Sequence, residues 1–284
     1  MHKKLLNILS IICTCLIAIL AFINYNNLPN LVVTISIVFV KNVFPFLFIM
    51  TLINNILIYL NIPYYIYKVF HNKYLYVFLL SIVSGAPGNA IIIKEMLEKG
   101  FIDIKDANNL LAFTNFNNPL FIYFYLNKIF SNNIVIIKIF IIYYVLNIII
   151  FIFYNKKQNK SYFINDSKNE KLISILPNSI NKTISAMVNI YATIVLFYII
   201  SNMLIPGNTV FKGLIEITQG LIALSNLNLS LKVKELLTLV ILIFGGLSIH
   251  IQVANVLNDY NIDYKNFYLA KIIMIVLSIL LCLI

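Results

Sequence analysis

Asn115, Asn117 and Asn118 stand just before Pro119, with Thr114 upstream, inside the otherwise apolar run 108–130. Amides are costly in lipid and should face inward. Proline removes a backbone donor and disfavours helix just before it. The combination points to an unwound helix whose amides can hold a polar solute; helix–helix hydrogen bonding is the structural alternative. Similar residues recur at three more places. "SGAPGNA", 84–90, supplies Gly85, Pro87, Gly88 and Asn89. "EITQGLIALSN", 216–226, supplies Glu216, Gln219 and Gly220. "FGGLSIHIQ", 244–252, supplies Gly245, Gly246, Ser248, His250 and Gln252.

Ser248, His250 and Glu216 could in principle serve as nucleophile, base and acid. No G-x-S-x-G, H-E-x-x-H or intramembrane Asp pair accompanies them, so solute binding is preferred to catalysis. Glu216 is the one acid placed well inside the apolar segments. It reads as a proton or cation coupling site, or else as a helix cap or a partner of Lys212. His250 could titrate near neutral pH and bind or gate an anion, or simply pack with a hydrogen bond. Lys41 could attract an anion, although snorkelling is the stronger reading. Cys13, Cys15 and Cys282 read as small apolar residues. No metal site and no cofactor are expected.

The elements around these residues are membrane elements. The 284 residues are 61% hydrophobic and 11% charged, and apolar runs of helix-spanning length recur. The expected spans are 5–23, 31–60, 108–130, 134–154, 183–205, 235–257 and 265–284; the first follows Lys3 and Lys4 and is read as retained, not cleaved. Segments 73–93 and 210–228 are apolar but broken. The polar stretch 155–182 divides the chain into an N-terminal half, 1–154, and a C-terminal half, 183–284, and is expected to be a flexible linker. The net charge of +11 comes wholly from Lys. It fits cytoplasmic loops, and no basic domain suggests nucleic acid.

Charge also settles how 73–93 sits. A full crossing would put Lys156, Lys157, Lys160, Lys168, Lys171 and Lys182 outside, against the positive-inside rule. A re-entrant hairpin with its tip at "SGAPGNA" keeps them inside, together with Lys94, Lys99 and Lys105. Such a broken backbone is tolerated where it is buried in protein or lines a cavity. Segment 94–107 then reads as a solvated amphipathic surface piece. A hairpin followed by a broken span occurs twice at nearly equal spacing, the layout of a transporter with inverted repeats.

"SGAPGNA…KEMLEKGFI…NNLLAFTNFNNPLFI" resembles the Gate, or nucleoside-recognition, motif of bacterial membrane proteins. "VFPFLF", "GLIEITQGL" and "FGGLSIHIQV" are similar to motifs of the sporulation integral membrane protein family of the YlbJ (SpoVV) type. The sequence departs from that pattern at Ala86, Asn89, Ala90, Ile91 and Asn118. The resemblance covers roughly 40–130 and 180–284. It implies an all-α polytopic fold like that of concentrative nucleoside transporters, with about seven spans and two re-entrant hairpins in inverted repeats. It also implies a multi-pass protein of the outer forespore membrane that moves dipicolinate from the mother cell. The expected partners are a small anionic substrate and the lipid bilayer; a homo-oligomer is left open. A nucleoside or purine carrier, or an assembly protein of the spore envelope, are the alternatives.

Overall fold

The computed structural model describes residues 2–156, 172–205, 207 and 209–283. Among these residues the chain is helical and has no strand. The helices are α1 (His2–Ile23), α2 (Leu28–Val38), a π-helical segment (Phe39–Val43), α3 (Phe44–Tyr59), α4 (Ile62–Phe70), α5 (Lys73–Ser84), α6 (Gly88–Glu98), α7 (Ile104–Thr114) and α8 (Pro119–Ile129). They continue with α9 (Asn133–Asn155), α10 (Leu172–Leu204), α11 (Lys212–Ile215), α12 (Ile217–Asn226), α13 (Leu231–Phe244), α14 (Gly246–Val256) and α15 (Lys265–Leu283).

Five helical stretches among the described residues are long and apolar enough to cross a membrane: Leu28–Tyr59, Asn133–Asn155, Ile175–Leu204, Leu231–Val256 and Lys265–Cys282. The chain is therefore a helical protein suited to a membrane. The run 108–130 is not among them, because it is two eleven-residue helices separated at 115–118. Asn118 caps the second of them, its Oδ1 accepting from the Phe121 N–H at 2.9 Å, and Pro119 takes the first helical position. Both choices suit a helix start, since proline's missing donor would have no intrahelical partner there.

α5 and α6 form a hairpin around Gly85–Pro87. Lys73, at its start, pairs with Asp106 beyond its end, so the chain returns to the level it left. α7 then climbs back to the tip, where the Ala86 N–H donates to Phe116 O at 2.7 Å. Gly85 is at φ +68°, and a Cβ there would stand 2.5 Å from the Asn118 nitrogen. Only glycine combines that φ with that approach.

Two expectations need correction. The linker 155–182 is shorter than its polar composition suggests: α10 begins at Leu172, and Lys157, Lys168 and the rest of 157–171 lie outside the described residues. Residues 172–182 join the helix because Ile175 and Ser179 are fully buried and Lys182 finds acidic partners. Segment 94–107 is not a solvated face either. Glu95 and Asp106 are buried, Lys182 bridges Glu95 and Glu98 at 2.9 and 2.8 Å, and Lys94 pairs with Asp259 at 2.6 Å. These contacts bring 94–107 and the end of the expected linker to one face of the molecule.

Candidate functional site

The four broken segments meet. A cavity of about 270 Å³ is lined by Ser84, Ala86 and Pro87 from the first hairpin and by Asn117 and Asn118 from the first broken helix. Glu216, Ile217 and Thr218 come from the second broken pair, and Ser248, Ile249 and Gln252 from α14. The π-helical segment and α3 add Phe39, Lys41, Asn42 and Leu47; α8 and α10 add Phe121, Phe124, Tyr125, Ile190 and Ile194. α6, α8, α12 and α14 all start at this cavity. Their caps or first turns form part of its wall, so the N-terminal ends of four half-helices gather around one space.

Glu216 ends α11 and caps α12. Its Oε2 accepts from the Gln219 N–H at 3.1 Å and from the Thr218 hydroxyl. Lys212 is not its partner; that ammonium donates to Asn202 Oδ1 at 2.8 Å. The first arm of the second hairpin is thus a single turn, and the break falls at Glu216, ahead of Gln219 and Gly220. Gln219 lies in the first turn of α12 and donates to Tyr198 O at 3.0 Å. Gly220 packs face to face with Gly213: a Cβ on it would stand 2.3 Å from the Gly213 Cα.

The end of α13 has a complete hydrogen-bond account. The break at Gly245, φ +84°, lets the Gly245 N–H reach Ile241 O at 2.8 Å. The last carbonyls of a helix lack intrahelical donors. Here three side chains supply them. Asn117 Nδ2 donates to Leu242 O at 3.0 Å, Lys271 Nζ to Ile243 O at 2.6 Å, and His250 Nε2 to Phe244 O at 2.8 Å. His250 is further enclosed by Phe244, Phe267 and Tyr268. It does not line the cavity.

The remaining site residues divide in the same way. Pro87, Asn117, Asn118, Glu216, Ser248 and Gln252 are at the cavity, with Gln252 Nε2 donating to Ser248 Oγ at 2.8 Å. Asn117 is also fixed by Tyr143, whose hydroxyl accepts from its N–H at 2.8 Å, while the Tyr144 hydroxyl donates to its carbonyl at 3.1 Å. Gly85, Gly88, Asn89, Thr114, Asn115, Gln219, Gly220, Gly245 and Gly246 shape the breaks behind it. Asn89 Nδ2 reaches Thr114 Oγ1 at 3.3 Å, a Cβ on Gly88 would meet Ser84, and one on Gly246 would meet the Ile217 nitrogen at 3.1 Å.

Lys41, Asn42, Ser84, Tyr125 and Thr218 are cavity residues that the sequence did not assign to the site. For Lys41 the signal was there: a cation inside an apolar run, one turn before Pro45. It stands on the π-helical segment, an irregularity frequent at functional sites. Thr218 gave no signal distinct from any other threonine of an apolar helix.

No family model, no curated protein and no solved structure matches the chain.

Proposed function

We propose that the chain is a membrane transporter of a small organic anion, dipicolinate, which it moves from the mother cell across the outer forespore membrane of a sporulating cell. The observation that carries this is the cavity at which four half-helices begin, with Lys41 among its lining residues. Helix N-termini and a cation replace the water that an anion sheds. Phe39, Phe121, Phe124 and Tyr125 add aromatic side chains to the lining, which suits a flat aromatic solute.

The element order supports the finer architecture. α6 and α14 lead from the cavity to the face that carries Glu98 and Asp259, which the Lys94–Asp259 pair joins. α8 and α12 lead to the opposite face, where Ile129–Asn132 and Leu229–Lys234 border one recess. Matching α5–α9 to α11–α15 therefore exchanges the two faces. That is the relation of inverted repeats, each with a re-entrant pair followed by a broken span.

Purified protein in liposomes should take up labelled dipicolinate, and unlabelled nucleosides should not compete. Uptake of nucleosides alone would turn the reading to a nucleoside or purine carrier; no uptake of either would leave a non-transport role in the spore envelope. Asn118→Ala should cut the initial rate more than tenfold while costing about 1 kcal/mol of stability through the lost cap. Normal uptake by this variant would make the amide a cap only.

Glu216 is the coupling candidate. Glu216→Gln keeps a cap oxygen but not a carboxylate. Accumulation driven by a pH gradient should fail, while exchange of labelled for unlabelled substrate persists. Wild-type accumulation by the variant would exclude proton coupling at this residue.

A further inference from the structure

The cavity has a floor. Towards the face that carries Glu98, its lining ends at Leu47 on α3, Ile190 on α10 and Gln252 on α14. There Phe39, Leu47, Ile91, Met187 and Ile190 form one buried cluster, and Val256 of α14 packs against it. Ile91 belongs to α6, and Met187 stands one turn nearer the Glu98 face than Ile190. Two helices measure the thickness of the closure. The rise from Leu47 to Tyr59 is about 18 Å, and that from Lys182 to Ile190 is about 12 Å.

The outer half of this floor is ionic. Lys182 of α10 donates to both oxygens of Glu95 at 2.9 Å and to Glu98 at 2.8 Å. Lys94 pairs at 2.6 Å with Asp259, which follows α14. Lys94, Glu95 and Glu98 all stand on α6, the second arm of the first hairpin. The two feet of that hairpin are held differently. The foot of α5 is the Lys73–Asp106 pair, with side chains 1% and 0% exposed, and the Tyr74 hydroxyl donates to the same acid. At the foot of α6, Glu95 is buried, but the side chains of Lys182, Glu98, Lys94 and Asp259 are 36%, 34%, 28% and 63% exposed. Ion pairs in contact with water contribute little to stability, whereas breaking a buried one is costly. The first foot is a permanent joint, and the second is one that can let go.

We propose that the ion pairs of Lys182 and Lys94 are a latch on the floor: while they are made, the cavity is closed to the face that carries Glu98, and their release lets α6 part from α10 and opens the cavity to that face. The use of this opening by a solute rests on the transport reading; the closure and its release do not.

The test needs no transport assay. In a chain with Cys13, Cys15 and Cys282 replaced by serine, Met187→Cys places a single thiol inside the floor, away from the cavity lining. Lys265→Cys, at a side chain 88% exposed shortly after Asp259, marks the sealed vesicles that present this face. In those vesicles a membrane-impermeant methanethiosulfonate should label Met187→Cys slowly. Adding Glu95→Gln with Glu98→Gln should raise the rate roughly tenfold or more, because reaction follows access to the thiolate. Lys94→Asp sets two carboxylates against each other and should raise the rate as well. Lys94→Asp combined with Asp259→Lys should bring it back towards the parent value. Both residues of that exchange are partly exposed, so it remains informative where the double glutamine variant fails to fold. A rate unmoved by every latch variant would overturn the proposal. So would a rise seen only in vesicles of the opposite orientation, or a parent in which Met187→Cys reacts as fast as Lys265→Cys. Failure of the transport reading would appear separately, as absence of uptake in the parent, and would leave the labelling result standing.

Discussion

Asp106→Ala is expected to destabilise the purified protein by about 3–5 kcal/mol, the range for removing one partner of a buried ion pair. Asp106 is fully buried, and so, to within 1%, is the side chain of its partner Lys73. The carboxylate also accepts from the Tyr74 hydroxyl at 2.8 Å, and Asn109 Nδ2 reaches that hydroxyl at 3.3 Å. Asn109 in turn accepts from Asn266 at 3.0 Å. One acid thus connects the foot of the first hairpin, the start of α7 and the start of α15. Without it the Lys73 ammonium stays in the interior with its counter-charge gone. Thermal melts in detergent, followed by size-exclusion, would measure the loss. Lys73→Met combined with Asp106→Asn should recover most of it, because the pair contributes little beyond the cost of breaking it. A melting temperature unchanged in Asp106→Ala would mean that the pair is not formed.

Gly85→Ala should produce the second large effect. The added methyl would stand 2.5 Å from a backbone nitrogen and 2.8 Å from the Asn118 Cβ, at a φ of +68°. Overpacking costs about 1–3 kcal/mol, and the left-handed backbone adds to it. Gly207 is the control: its φ is +74°, but nothing lies within 4 Å of a Cβ there. The difference in melting temperature between Gly85→Ala and Gly207→Ala isolates the contact between hairpin tip and broken helix. Equal melting temperatures would rule out that contact. Because Ala86, Pro87 and Asn118 line the cavity, uptake should fall together with stability in Gly85→Ala.

The breaks were legible in the sequence because proline, glycine and clustered amides have no other good reason to stand in an apolar run. Pro87, the 115–118 amides and Gly245 each mark a place where the backbone does leave the helix. Gly220, grouped with Glu216 in the broken segment because it looks like a breaker, lies inside α12. Its lack of a side chain serves the close approach to Gly213, a tertiary cause that no local pattern carries. The site itself was half legible. Pro87, Asn117, Asn118, Glu216, Ser248 and Gln252 reach the cavity, whereas His250, Thr114 and Gln219 point into the protein. Which side of a broken helix faces the cavity depends on how several elements pack, and an isolated segment does not encode it. The charges of 94–107 were misread for the same reason. Their partners, Lys73, Lys182 and Asp259, are distant in the sequence.

The end of α13 has a mechanical consequence. Its three last carbonyls are gripped by Asn117, His250 and Lys271, which belong to three separate parts of the chain. Advancing α13 by a single residue means turning it by about 100°. Such a turn carries all three oxygens away from their donors. The three grips act as a detent against rotation of α13 about its axis. A movement that keeps all three bonds must therefore carry α13, α14, α15 and the 115–118 segment as one piece.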